Sequence, residues 1–308
     1  MLSRIAESCY WIGRLVERAD YTARLLDVHY HNLLQNHPRE SNRLANHLVT
    51  VMGSVSSGES VDIEEAVSFI GFDPSFSGSI SDTIFQLSEN AKGVRDTIPA
   101  ELFEAIHATY GEFQTSFDPT HTRSRHELFQ WVRNRCMLIH GIIDEAMARD
   151  DSFHFLNVGR CVERIDMTAR MVAVRCAMED DSPGWITMLR SCGAFEAFMR
   201  AKGDTHNTPA IIEFLLRDPH FPRSILSSAS SALSSTQALV HGDDPIGSEK
   251  DPRFALGRIC AEIEFASIQS IHDNLLEEVF QLQKGVQFID STMVGTYFHH
   301  TNAIEWRQ

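Results

Sequence analysis

Arginine and glutamate recur at fixed spacing in a motif that the sequence contains twice. Residues 13–24 read GRLVERADYTAR, and residues 159–170 read GRCVERIDMTAR. Guanidinium groups bind carboxylates and phosphates through paired hydrogen bonds, and a carboxylate can hold an amine or transfer a proton. The motif therefore has the side chains that a site for an anionic substrate would need.

The charged positions of the motif match better than its apolar positions. Between 12–28 and 158–174, ten of seventeen residues are identical, where unrelated segments would share roughly one or two. Two copies retained only for packing should agree in their apolar residues and differ in their charged ones. The shared charges therefore indicate a common role for the two segments.

The motif is unfavourable for an isolated helix. Each copy places two arginines four positions apart, Arg14 with Arg18 and Arg160 with Arg164, and such like-charged pairs are mildly destabilising. A glycine such as Gly13 inside a helix costs about 1 kcal/mol relative to alanine. These costs predict compensation from tertiary structure or from a ligand.

Two interpretations of the motif remain open. In the first, it forms an ion network between two helices, and the glycines allow close backbone approach. In the second, arginines between the helices bind a carboxylate, phosphate or peptide group, and a glutamate with a raised pKa performs acid–base chemistry. The candidate anion-binding residues are Arg14, Arg18, Arg160 and Arg164, and the candidate catalytic residues are Glu17 and Glu163.

Helical periodicity runs through almost the whole chain and predicts an all-α, bundle-like fold. The first helix is predicted at 2–36. Further helices are predicted at 39–55, 61–71, 79–98, 100–117, 122–149, 152–180, 183–202, 207–217, 222–241 and 252–287. The segment Phe221-Pro222-Arg223-Ser224 is interpreted as a helix start with Pro222 at the first position.

The organisation favours a single domain over 1–308, because no linker separates the two motif copies. The motif helices, at 11–28 and 157–174, are expected to lie side by side across a pseudo-twofold axis. Sequence similarity between the halves fades outside the motif, so the duplication is either old or never included the whole domain. Residues 287–308 have weak periodicity and are predicted to form a loosely packed tail.

Composition narrows the classes of partner and compartment. The net charge is −15, which argues against nucleic-acid and anionic-membrane binding but not against a local arginine pocket. No apolar run is long enough to span a membrane, and early acidic residues argue against a targeting peptide. Scattered cysteines without a metal-binding spacing favour a reduced, cytoplasmic protein: Cys9, Cys136, Cys161, Cys176, Cys192 and Cys260.

No resident metal or nucleotide site is predicted. Glu104-x-x-His107 has the spacing of a helical di-iron ligand pair, but such sites need a second pair and two further carboxylates. Walker-type, Gly-x-Gly-x-x-Gly and Gly-x-Ser-x-Gly motifs are absent from the sequence. ATP and Mg²⁺ are therefore expected only through a partner protein.

Four segments resemble the bacterial alpha-E domain family. The opening MLSRIAESCYWIGR, continued by ERADYTAR at 17–24, is similar to the start of that family, and the second motif copy is similar to its second motif. SENAKGVR at 88–95 resembles its Asn-Ala-Arg-x-x-Arg segment, with Lys92 in place of the usual arginine. EFLLRDPHFPRS at 213–224 resembles a late family signature.

The resemblance implies an all-helical protein that accompanies a circularly permuted ATP-grasp protein, often with a transglutaminase-like peptidase nearby. It therefore implies a component of an amide-bond-forming or peptide-modifying system, whose own catalytic role is undecided. The alternative is a non-catalytic helical scaffold. By matching position, the resemblance adds the polar residues Arg24, Asn90, Arg95, Arg170 and Arg223 to the candidate set.

Overall fold

The computed structural model describes residues 1–33, 61–116, 125–176, 184–240 and 250–298, with residues 42, 45, 46, 48–50, 52 and 53 between the first two ranges. Its helices are α1 Ser3–Leu33, α2 Ile63–Phe72, α3 Ile80–Gly93, α4 Ala100–Ser116, α5 Arg125–Ala146, α6 Asp151–Cys176, α7 Gly184–Ser191, α8 Phe195–Ala201, α9 Thr208–Arg217, α10 Ile225–Ala238, α11 Pro252–Phe265, α12 Ile268–Asp273 and α13 Leu275–Tyr297. The described part of the chain contains no strand, which confirms the predicted all-α fold.

Helices α1 and α6, which carry the two motif copies, form the centre of the molecule. They pack along each other, and one continuous core of buried aliphatic and aromatic side chains surrounds them. Their contact also contains a polar link, because the Tyr21 hydroxyl lies 2.9 Å from Oγ1 of Thr168. The predicted side-by-side arrangement of the motif helices is therefore confirmed.

The motif glycines allow the two backbones to approach closely. A Cβ on Gly13 would overlap the carbonyl oxygen of Leu156 and stand 2.9 Å from its carbonyl carbon. A Cβ on Gly159 would overlap the carbonyl oxygen of Tyr10 and stand 2.9 Å from its carbonyl carbon. In the repeat, Gly13 is equivalent to Gly159 and Tyr10 is equivalent to Leu156. Each glycine therefore contacts the counterpart of the other glycine's partner, as a pseudo-twofold relation requires.

The helices of the two halves correspond in order and in packing. The pairs are α1 with α6, α2 with α9, α3 with α10, α4 with α11, and α5 with α13. In the first half, α1 packs on α3 and on α5, and α4 packs on the same two helices. In the second half, α6 packs on α10 and on α13, and α11 packs on the same two helices. This match favours an old duplication of the whole unit, which sequence similarity alone did not reveal.

A shared turn between corresponding helices supports the same relation. Residues 73–80 read DPSFSGSI and residues 218–225 read DPHFPRSI. In each turn the aspartate side chain accepts a hydrogen bond from the backbone N–H two residues later, at 2.8 and 2.9 Å. The serine side chain then caps the following helix, at 3.0 and 3.1 Å. The turns differ at one charged position, where the second has Arg223 and the first has Gly78.

Four predictions about helix boundaries were wrong. The predicted loose tail is helical as far as Tyr297, and it buries Ile289 and Met293 against the core; polar residues between the apolar ones concealed its periodicity. The predicted helices at 183–202 and 252–287 are each interrupted, the first at Gly193, whose φ of +65° favours glycine. Pro222 precedes the helix, because Ser224 is the N-cap of α10.

Two of the predicted segments lie largely outside the described residues. They are the helix at 39–55 and the last ten residues of the predicted tail, 299–308. Among the described helices, none is long and apolar enough to cross a membrane.

Candidate functional site

The second motif glutamate, Glu163, is completely buried and held by two arginines of the facing helix. Arg18 donates to it through Nε at 2.6 Å and through Nη2 at 3.0 Å. Arg14 donates through Nε at 2.6 Å, and its Nη1 also donates to Asp290 of α13 at 2.5 Å. Two guanidinium groups therefore compensate for removing the Glu163 carboxylate from water.

The first motif glutamate, Glu17, is also completely buried but has different partners. Nε of Arg164 lies 3.0 Å from one carboxylate oxygen, and Nη2 of Arg223 lies 3.0 Å from the other. His140 of α5 places Nε2 3.2 Å from Glu17. The Glu17–Arg164 pair is the counterpart of the Glu163–Arg18 pair, so the motif ion pairs cross the pseudo-twofold axis.

One sequence difference accounts for the unequal partners. Arg223 neutralises Glu17 from the turn before α10, whereas the corresponding turn of the first half has Gly78. Arg14 therefore fills the second position on Glu163, while its counterpart Arg160 donates to Asn157 at 2.7 Å and to Asp144 at 3.1 Å. The structure does not bring Arg160 together with the other motif arginines in one pocket.

The motif aspartates show the electrostatic effect of this difference. Burial acts to raise the pKa of Asp20, but Arg223 and Arg24 outweigh it and lower that pKa below its ordinary value. Burial raises the pKa of Asp166 above its ordinary value and outweighs the lowering effect of Arg170, which donates to Asp166 at 2.9 Å. The two copies of the motif therefore have matching charged residues in different electrostatic surroundings.

Both motif glutamates are poor candidates for a general base. Burial acts to raise their pKa values, but the arginines around them dominate: the pKa of Glu17 lies well below its ordinary value, and that of Glu163 falls to about 2. The expectation of a raised pKa was therefore wrong. A carboxylate that is held between two guanidiniums remains ionised and accepts protons weakly near pH 7.

The remaining predicted residues divide into two groups. Arg24 joins the network by donating to Asp20 at 3.2 Å. Asn90 and Arg95 do not join it: Asn90 donates to the backbone of Gln86, and Arg95 lies over the ring of Phe103. Asn90 lies near the C-terminal end of α3, and the exposed Arg95 follows that helix.

Two members of the network were missed by sequence reasoning. His140 belongs to no motif, and Asp290 lies in the segment that was predicted to be a loose tail. Each motif copy has more arginines than carboxylates, which indicated that further acidic partners lie nearby. This signal did not show where along the chain those partners would be. Within the described residues, no group of three histidine, cysteine or acidic side chains could hold a metal ion.

Comparison with known proteins identifies the family. A family model described as a predicted alpha-helical domain with a conserved ER motif matches residues 1–298. Uncharacterised proteins of Mycobacterium bovis and Mycobacterium tuberculosis are 20% identical over 249 residues, which is 72% of this chain and 28% of theirs. The chain thus matches less than a third of the length of these relatives. No solved structure gives a significant match.

The described ER motif corresponds to features seen in the site. The chain contains Glu-Arg at 17–18 and again at 163–164, and each glutamate pairs with the arginine of the other copy. The chain therefore belongs to the Alpha-E family.

Proposed function

We propose that the protein is an accessory component of an ATP-grasp-linked system that forms or modifies amide bonds. In this role it binds a partner or substrate, and the partner carries out the phosphoryl and acyl chemistry. The link to a circularly permuted ATP-grasp protein rests on the family resemblance. A transglutaminase-like peptidase is a second expected partner on the same grounds.

The burial of the motif glutamates is the observation that favours an accessory over a catalytic role. Both Glu17 and Glu163 are 0% exposed and enclosed by arginines. A general base must contact its substrate, and its pKa must be close enough to the working pH for it to accept a proton. The doubled motif is thus better suited to joining the two helices than to acid–base catalysis.

The size of the relatives also supports work with other domains. The region similar to this chain makes up 28% of the mycobacterial proteins. A unit that is part of a longer chain in one organism can work with separate proteins in another, provided that the contact surface is retained. We therefore expect the protein to bind its ligase directly.

Reconstitution with a candidate ATP-grasp protein from the same genome tests the proposal. We expect co-purification of the two proteins, and formation of an amide product, detected by mass spectrometry with ATP and Mg²⁺, only when both are present. The exposed substitution Arg258→Gln serves as a control that should change neither result. Equal product yield with the ligase alone would contradict an accessory role.

A catalytic pocket at the motif is the second candidate, and lysine substitutions distinguish it from the first. Arg18 forms a two-pronged contact with Glu163 and keeps a fifth of its side chain exposed. Arg18→Lys and Arg164→Lys keep the charge but lose the planar fork. A catalytic pocket predicts that these variants fold and lose product formation, whereas the accessory role predicts that they lose stability and that their folded fraction remains active.

A further inference from the structure

Two guanidinium groups converge beneath the turn that joins α7 to α8. A Cβ on Gly193 would lie 3.2 Å from Nη1 of Arg223 and 3.3 Å from Nη1 of Arg24. Arg24 comes from α1 and Arg223 from the turn before α10, so three distant segments of the chain meet here. The absence of a side chain on Gly193 allows both nitrogens to approach its backbone, where a methyl group would be in tight contact with them.

The converging nitrogens have no acceptor among the described residues. Arg24 and Arg223 both use Nη2 to donate to Asp20, at 3.2 and 2.5 Å. Every side-chain hydrogen bond that these two arginines donate within the described part of the chain comes from Nη2, and the buried Nε of Arg24 has no partner there. The side chains are 10% and 16% exposed, so both guanidiniums are mostly buried and each keeps some contact with solvent.

The thiol beside these nitrogens does not supply a negative charge. Cys192 is completely buried at the start of the turn. Burial raises its pKa to about 12, although Arg223 and Arg24 act to lower it. The thiol therefore remains protonated near neutral pH, and the two guanidinium groups keep their unused donors.

The surrounding charges leave a positive excess. Among the described residues whose ion pairs connect α1, α5 and the turn before α10, four guanidiniums accompany three carboxylates: Arg24, Arg133, Arg164 and Arg223 with Glu17, Asp20 and Asp27. Burial, with a smaller contribution from the neighbouring Arg24, lowers the pKa of Arg133 below its ordinary value.

The other half of the molecule contains a version of this turn with one arginine. Gly53 has a φ of +92°, and a Cβ on it would lie 3.5 Å from Nη1 of Arg170, the counterpart of Arg24. The position of the second arginine is occupied there by Gly78. Of these two related turns, two guanidiniums therefore converge at Gly193 and one lies near Gly53.

We propose that an oxyanion group, a carboxylate or a phosphate, binds to Arg24 and Arg223 beneath Gly193. Two guanidiniums of different segments can each donate to such a group, which balances the charge excess. The inference deepens the proposed function, because an acyl phosphate or a substrate carboxylate in amide synthesis carries this group. Gly193 is required because a side chain would occupy the space of the anion.

Titration calorimetry with inorganic phosphate and with acetate, at constant ionic strength, tests the site without any ligase. We expect Gly193→Ala to weaken binding by about tenfold or more. Gly203→Ala is the matched control: Gly203 also has a positive φ, of +74°, but its Cβ would meet nothing closer than the carbonyl oxygen of Met199 at 3.7 Å. It should therefore bind anions like the parent.

A charge substitution keeps the test valid if Gly193→Ala does not fold. Arg24→Gln should abolish binding, whereas Arg258→Gln, which removes the same charge from an exposed position, should not. A preference for phosphate or for acetate would identify the natural group, and either result supports the site. Binding in Gly193→Ala that equals the parent, or no binding of either anion to the parent at about 10 mM, would overturn it. Neither result depends on the link to a ligase.

Discussion

Glu163 is a buried charge whose partners predict a contribution to stability. Its carboxylate accepts three short hydrogen bonds from Arg14 and Arg18. Removing one member of a buried ion pair leaves the others without compensation, which costs on the order of 3–5 kcal/mol. Glu163→Gln should lower the free energy of unfolding by about this amount in urea denaturation at pH 7.

The pH dependence of that loss provides a second check. The folded-state pKa of Glu163, about 2, lies below the ordinary value of 4.5. Its contribution is therefore fully present above about pH 4.5 and disappears as the pH falls towards 2. The stability difference between parent and Glu163→Gln should narrow over this window. A difference that stays constant from pH 6 to pH 2.5 would show that the charge of Glu163 is not the cause.

Asp20 and Asp166 give a matched pair, because they occupy equivalent positions with opposite pKa shifts. Asp20→Asn removes a carboxylate that both Arg24 and Arg223 require, whereas Asp166→Asn removes one whose ionisation burial disfavours. We expect Asp20→Asn to destabilise by roughly 2 kcal/mol or more and Asp166→Asn to be close to neutral at pH 7. Equal losses in thermal melts of the two variants would contradict this account.

At the scale of elements, glycine-to-alanine substitutions distinguish the effect of close helix packing from the effect of intrinsic helix preference. Gly13→Ala and Gly159→Ala would drive a methyl group into a facing backbone, so the helices must move apart and stability should fall by several kcal/mol. Gly111→Ala and Gly141→Ala meet nothing within 4 Å and should stabilise by up to about 1 kcal/mol. Chemical denaturation of the four variants compares the effects directly.

The motif helices were predictable because Gly13 and its charged neighbours combine two strong signals, helical period and repetition. The tail was not, because Asp290 and Thr292 interrupt the apolar pattern of α13, and the acid at 290 is explained by its contacts with Arg14 and the Tyr10 hydroxyl. The equivalence of the other helices was also hidden, since packing preserves apolar character but not residue identity. Arg223 was selected by resemblance, but its part in charge balance required the fold.

At the scale of the whole molecule, one continuous core includes residues of both halves. Glu17 depends on arginines of the second half and Glu163 on arginines of the first. Separately expressed fragments 1–148 and 149–308 should therefore be largely unfolded alone, and should regain helical circular dichroism when mixed. Independent, cooperative melting of either fragment would show that the halves are separate domains.

The ion pairs of α1 also bear on folding during synthesis. Arg14 and Asp290 are 276 positions apart, and chains grow at roughly 5–20 residues per second. Arg14 is therefore synthesised tens of seconds before its partner Asp290. Until Asp290 has been made, Arg14 lacks one of its two carboxylate partners, so we expect the burial of this end of α1 to be completed only after α13 has been synthesised.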